Sequence, residues 1–154
     1  MDYSDDSCMA RFTSDQARRM RCTIEHYRPN LPELTQVIAT AVPRNGAGVN
    51  PSEYIPQTRP ILGANYEARI TSPVTPYGSV LLFGLGGPVD GPTLGIGQLL
   101  ALPPYIEFVA SGTHSVPIPN NSSLLGASFA TQGVIVAPGN VLLTNALDLT
   151  LGNQ

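Results

Sequence analysis

From residue 61 to the carboxyl end, turn signals interrupt the chain so often that only short strands fit between them. Apolar-rich runs at 66–71, 79–85, 97–102, 106–110, 113–118, 127–136 and 141–151 are separated by Gly86-Gly87-Pro88, Asp90-Gly91-Pro92, Pro103-Pro104, Ser111-Gly112, Pro119-Asn120-Asn121, Pro138-Gly139-Asn140 and the stretch from Pro73 to Tyr77. Proline lacks the amide proton that a strand ladder or helix interior uses, and glycine favours tight reversals, so each cluster ends the element before it. Many short strands with regular turns predict a mainly β fold, either an antiparallel β-sandwich or a partly open barrel. Alternation supports this locally: Tyr66, Ala68 and Ile70 fall on one face of a strand, and Glu67, Arg69 and Thr71 on the other. At 143–151 apolar and polar residues mix, which suits a strand covered on both sides for part of its length.

One helix precedes this region. Thr13-Ser14-Asp15-Gln16 has the form of a capping box, in which Thr13 accepts from the Gln16 amide and the Gln16 side chain reaches back. Ala17, Met20, Ile24 and Tyr27 follow at helical spacing and form one apolar stripe. Pro29 disfavours the helical conformation in the residue before it, so the spacing predicts a short amphipathic helix over 14–28. Residues 29–60 carry Pro29, Pro32, Pro43, Pro51, Pro56 and Pro60, with a turn signal at Arg44-Asn45-Gly46-Ala47-Gly48. They read as a linker with one strand within 34–42. The expected organisation is therefore 1–30, a proline-rich linker at 31–57, and a β module at 58–154.

Charge is uneven and excludes several partners. Five Arg and five acidic residues lie within the first 30 positions, whereas from residue 71 onward there is no Arg, and the whole chain has no Lys. Phosphate binding draws on clustered cations, so nucleic acid is not an expected partner. No apolar run approaches the roughly 20 residues that span a bilayer as a helix. Met1 is followed by Asp2-Tyr3-Ser4-Asp5-Asp6, not by a basic and then apolar leader, so the protein is expected either to be cytosolic or to have its true amino terminus elsewhere.

The absence of Lys, the abundant Gly and Pro and the β-rich tail favour an extracellular location, where disulfides persist. Cys8 and Cys22 are then expected to pair, closing a loop worth roughly 3 kcal/mol on the chain-entropy account. A partner upstream for one or both cysteines is the competing arrangement. Zinc is a weaker one, because neither His26 nor His114 has ligand spacing.

Met1-Asp2-Tyr3-Ser4-Asp5-Asp6-Ser7-Cys8, then Phe12-Thr13, Gln16 and Arg19-Met20, resembles the segment that closes the catalytic domain in the pappalysin family of metzincin zinc proteases. The resemblance covers only about the first 28 residues. It implies that Met1 is the Met-turn methionine, an apolar floor beneath the metal, and that Tyr3 is a phenol that stabilises the oxyanion in an intact parent. Zinc and a protein or peptide substrate are implied for that parent. What the parent requires is missing here, since H-E-x-x-H-x-x-G-x-x-H, with three imidazoles for zinc and a glutamate for its water, occurs nowhere in the chain. The expectation is a protease remnant joined to a β module and inactive alone, with no metal bound by this chain.

The other constellations are bland. His114 lies within an expected strand and reads as a lone histidine without a functional role, and Asp5-Asp6 reads as a solvated or helix-capping pair in a turn. Phe83-Gly84-Leu85-Gly86-Gly87 lacks the Lys and helix of a phosphate loop. The stretches Gly112–Asn120, Ala130–Gly133 and Leu143–Gly152 are similar to a β module at the ends of large secreted bacterial proteins, notably of planctomycetes, which implies secretion. A different class of function is an extracellular adhesion module binding a cell surface or glycan. Without Trp, its sugar-facing aromatics would be Tyr66, Tyr77 and Tyr105.

Overall fold

The structure is a computed structural model that describes residues 13–27, 36–73, 75 and 77–154. The chain divides into two units, at 1–35 and 36–154. In the first, helix α1 runs Ser14–Tyr27 and opens on the capping box. The Thr13 amide donates to Gln16 Oε1 at 2.9 Å, and the Gln16 amide donates to Thr13 Oγ1 at 3.3 Å. Two of the helix's orphan amide groups are thereby satisfied by residues three positions apart. Of the expected stripe, Ala17, Met20 and Tyr27 are exposed; the Ile24 side chain lies outside the described set.

The second unit is mainly β and antiparallel. A five-stranded sheet has the order β1-β10-β9-β4-β7, formed by Thr40–Arg44, Asn140–Thr150, Ser128–Ala137, Gly78–Gly84 and Tyr105–Ala110. A three-stranded sheet has the order β2-β3-β8, formed by Tyr54–Pro56, Asn65–Ile70 and Thr113–Pro117. A small ribbon pairs β5, Thr93–Leu94, with β6, Gly97–Gln98. The expected alternation holds on β3, where Tyr66, Ala68 and Ile70 are buried and Asn65, Glu67 and Arg69 exposed. Those three pack with Tyr54 and Val116 of their own sheet and with Leu81, Phe83, Ile135, Leu147 and Leu149 of the larger one. Each fully buried aliphatic or aromatic side chain here contributes about 1.5–3 kcal/mol of transfer free energy.

The expected linker is corrected in part. Residues 36–57 belong to the β unit, because β1 pairs with β10 from Thr40↔Thr150 to Arg44↔Ala146, and β2 pairs with β3. The prolines that suggested a linker mark sheet edges instead. Pro43 lies in β1 and Pro56 ends β2, each the outer strand of its sheet, where a missing amide proton costs no ladder bond. Residues 28–35 lie outside the described residues.

The outer face of the larger sheet is partly covered by the excursion between β4 and β7. Leu100 and Ala101 on it are fully buried, and Leu143 N donates to Ile96 O at 2.7 Å. This cover explains the mixed pattern of β10: Leu147 and Leu149 face the core, while Leu143 and Ala146 are buried elsewhere. A register shift between Leu143 and Ala146 places Thr144 and Asn145 in a bulge. Gly133 opposite is a requirement of close approach, since a Cβ there would lie 2.6 Å from Thr144 Oγ1 and 2.8 Å from Ile70 Cδ1. Among the described residues no helix is long and apolar enough to cross a membrane.

Candidate functional site

Bulges re-aim side chains, and the one in β10 assembles the largest polar cluster of the unit. Asn145 Nδ2 donates to Tyr54 O at 2.9 Å and Asn145 Oδ1 accepts from Tyr54 N at 3.0 Å. One carboxamide thus stands in for a neighbouring strand at the edge of β2 and ties the two sheets together. Beside it, Asn50 Nδ2 donates to Gln98 O and Thr144 O at 2.8 and 2.9 Å, and Asn50 Oδ1 accepts from Gln98 N at 2.6 Å. Gln132 Nε2 donates to the same two carbonyls, while its Oε1 accepts from Leu100 N at 2.9 Å. Asn50, Gln98, Gln132, Thr144 and Asn145 are all buried. A buried carboxamide whose donors and acceptor are all engaged has no valence left for a ligand, so this cluster holds the fold.

Charge is concentrated at Arg44. Its Nε donates to Asp148 Oδ2 at 2.8 Å, Nη1 to Asp90 Oδ1 at 2.8 Å and to Val89 O at 2.7 Å, and Nη2 to Leu100 O. The guanidinium fork therefore clamps the covering excursion onto the sheet. Sequence reasoning placed Arg44 in a turn. Its partners lie 45 to 104 positions away, and no spacing signal announces them.

Two buried tyrosines complete the core polar groups. Tyr54 Oη lies 2.9 Å from Thr131 Oγ1 and 3.4 Å from Tyr66 Oη. Burial pushes the Tyr54 phenol well up, with the neighbouring Tyr66 adding to the shift, and carries Tyr66 to about 12, so both stay neutral hydrogen-bonding groups. Tyr66 is fully buried, which corrects its place among sugar-facing aromatics. Tyr77 and Tyr105 are half-buried, and their hydroxyls donate to Ile70 O at 3.2 Å and Ala101 O at 2.8 Å.

Met1, Tyr3 and Cys8 lie outside the described residues, as does the Asp5-Asp6 pair. Cys22 is exposed on α1 and has no disulfide partner among the described residues. His26 is exposed near the end of α1, its ring 4.7 Å from that of Tyr27. His114 is buried, with Nε2 2.8 Å from Ser79 Oγ.

No known protein family and no curated protein matches this chain.

The donor set must therefore speak for itself. Among the described residues no three His, Cys, Asp or Glu side chains are grouped to hold a metal. The only histidines of the chain are His26 and His114, and the second is committed to Ser79. The residues present do not fit a three-imidazole zinc centre. Two depressions open on the β1–β2 side of the unit. A shallow depression of about 460 Å³ there is lined by residues 38–42 and 56–59, and a smaller one of about 220 Å³ by Arg44, Ser52, Tyr54 and Asn145 among others. Neither depression is lined by a carboxylate or histidine.

Proposed function

We propose that this chain is the carboxyl-terminal part of a secreted bacterial zinc endopeptidase of pappalysin type, with residues 36–154 as an accessory β-sandwich and no proteolytic activity of its own. The observation that carries the reading is the run Met1-Asp2-Tyr3-Ser4-Asp5-Asp6-Ser7-Cys8 followed by Phe12-Thr13, Gln16 and Arg19-Met20. The capping bonds between Thr13 and Gln16 support it, because they give a physical role to the F-T-x-x-Q element: it starts a helix. In the intact enzyme, the metal would polarise the scissile carbonyl and activate water. Met1 would floor that site and Tyr3 would donate to the oxyanion. Cys8 and Cys22 would brace the segment between them.

The decisive observation is the coding sequence directly upstream of Met1. An in-frame H-E-x-x-H-x-x-G-x-x-H is expected there, and a stop codon before any such motif would defeat the proposal. Incubated with zinc and an unstructured protein substrate, the chain alone is expected to leave the substrate intact. EDTA-sensitive cleavage would overturn the assignment of the catalytic groups to upstream sequence.

A further inference from the structure

The connection between β7 and β8 carries the chain from the larger sheet to the smaller one through Ser111-Gly112. One set of hydrogen bonds fastens this corner. Ser79 of β4 accepts from Gly112 N at 3.0 Å, donates to Ala110 O at 3.1 Å, and lies 2.8 Å from His114 Nε2. A hydroxyl has a single hydrogen, here directed to Ala110 O, so the tautomer assigned by the network carries its proton on Nε2 and leaves Nδ1 bare. His114 is 2% exposed and Ser79 1%, and Nδ1 has no hydrogen-bond partner.

We propose that His114 and Ser79 form an acid-sensitive latch between the two sheets, closed while the imidazole is neutral and released when Nδ1 takes up a proton. Protonation creates a buried cation with one N–H lacking an acceptor, and such a group is stabilised only by opening to water or by drawing in a new partner.

Among the described residues no charged group compensates. On β8 the flanking Thr113 and Ser115 are exposed and uncharged. On β3 the residue opposite His114 is Ala68, while Glu67 and Arg69 occupy the exposed face. On β4 the neighbour is Ser79. On β7 Glu107 is exposed and pairs with Leu82, on the opposite side from Phe108. The titratable group on the adjoining segment, Tyr77, donates its proton to Ile70 O.

Burial is the main influence on the ring and holds its pKa below the ordinary histidine value, with the Phe108 backbone opposing in part. The closed state therefore has its full stability above about pH 6.5, the value of an open-state histidine. That stability is lost as pH falls from there toward the lowered pKa. This inference goes beyond the protease reading and does not rest on it.

Hydrogen exchange with mass-spectrometric readout at 105–117, referred to β9 and corrected for intrinsic rates, tests the latch between pH 7.5 and 5. The corner is expected to exchange faster as pH falls, by up to about tenfold per unit below 6.5. His114→Gln, which keeps a donor for Ser79 but cannot titrate, is expected to lose this dependence. A pH-independent ratio in the wild type, or equal acceleration in the variant, would overturn the proposal. Should the variant not fold, NMR titration of the His114 ring in the wild type decides: a midpoint below 6.5 supports the latch, and one at or above it refutes it.

Discussion

Helix α1 and the β unit are held together over opposite ranges of sequence. The helix is opened by a reciprocal pair only three positions apart, Thr13 and Gln16, and three members of its apolar stripe remain exposed. In the β unit the deciding contacts are remote: Asn145 reaches Tyr54 across 91 positions and Arg44 reaches Asp148 across 104. Local bonds set where an element starts but add little net stability, whereas burying a shared core supplies most of it. The two regions should therefore answer differently to single substitutions.

The largest effect is expected in the core. Leu147 is fully buried between the sheets, so Leu147→Ala should lower the unfolding free energy of the β unit by about 3–5 kcal/mol. Urea denaturation followed by tyrosine fluorescence measures this. A loss under 1 kcal/mol would mean that the core collapses around the cavity. An intermediate effect is expected for Asn145→Ala, which strands the amide and carbonyl of Tyr54 without partners, at about 3 kcal/mol for the two groups. If instead stability is kept, water reaches the edge of β2 and the carboxamide is not its plug. The smallest belongs to the helix: Thr13→Ala should cost about 1 kcal/mol of helix stability, seen as lost ellipticity at 222 nm. Unchanged ellipticity would show that tertiary packing, not the cap, holds α1, and the contrast between the regions would fail.

Most elements were legible because their signals are local. The predicted strands at 66–71, 79–85, 106–110, 113–118, 127–136 and 141–151 fall within one residue of β3, β4, β7, β8, β9 and β10 at each end. The predicted helix at 14–28 ends one residue late. The expected strand at 97–102 shrinks to Gly97–Gln98, because Leu99–Leu102 bonds across its own excursion to Val89, Gly91 and Gly87. Strand β2 escaped notice: three residues ending in proline give no periodicity to read. His114 was placed within a strand, but its bond to Ser79 joins residues 35 positions apart and left no trace in spacing.

By itself the sequence determined which segments are strands, where they turn, where the helix begins and which face of β3 is apolar. Each of these follows from propensity, capping and alternation within a few residues. Only the tertiary structure decided that the proline-rich stretch supplies two edge strands, that three carboxamides are consumed in bridging sheets, and that Arg44 pins an excursion 45 residues downstream. Hydrogen bonding is short-ranged in space and indifferent to separation along the chain, so partners brought together by strand order carry no local mark in the sequence.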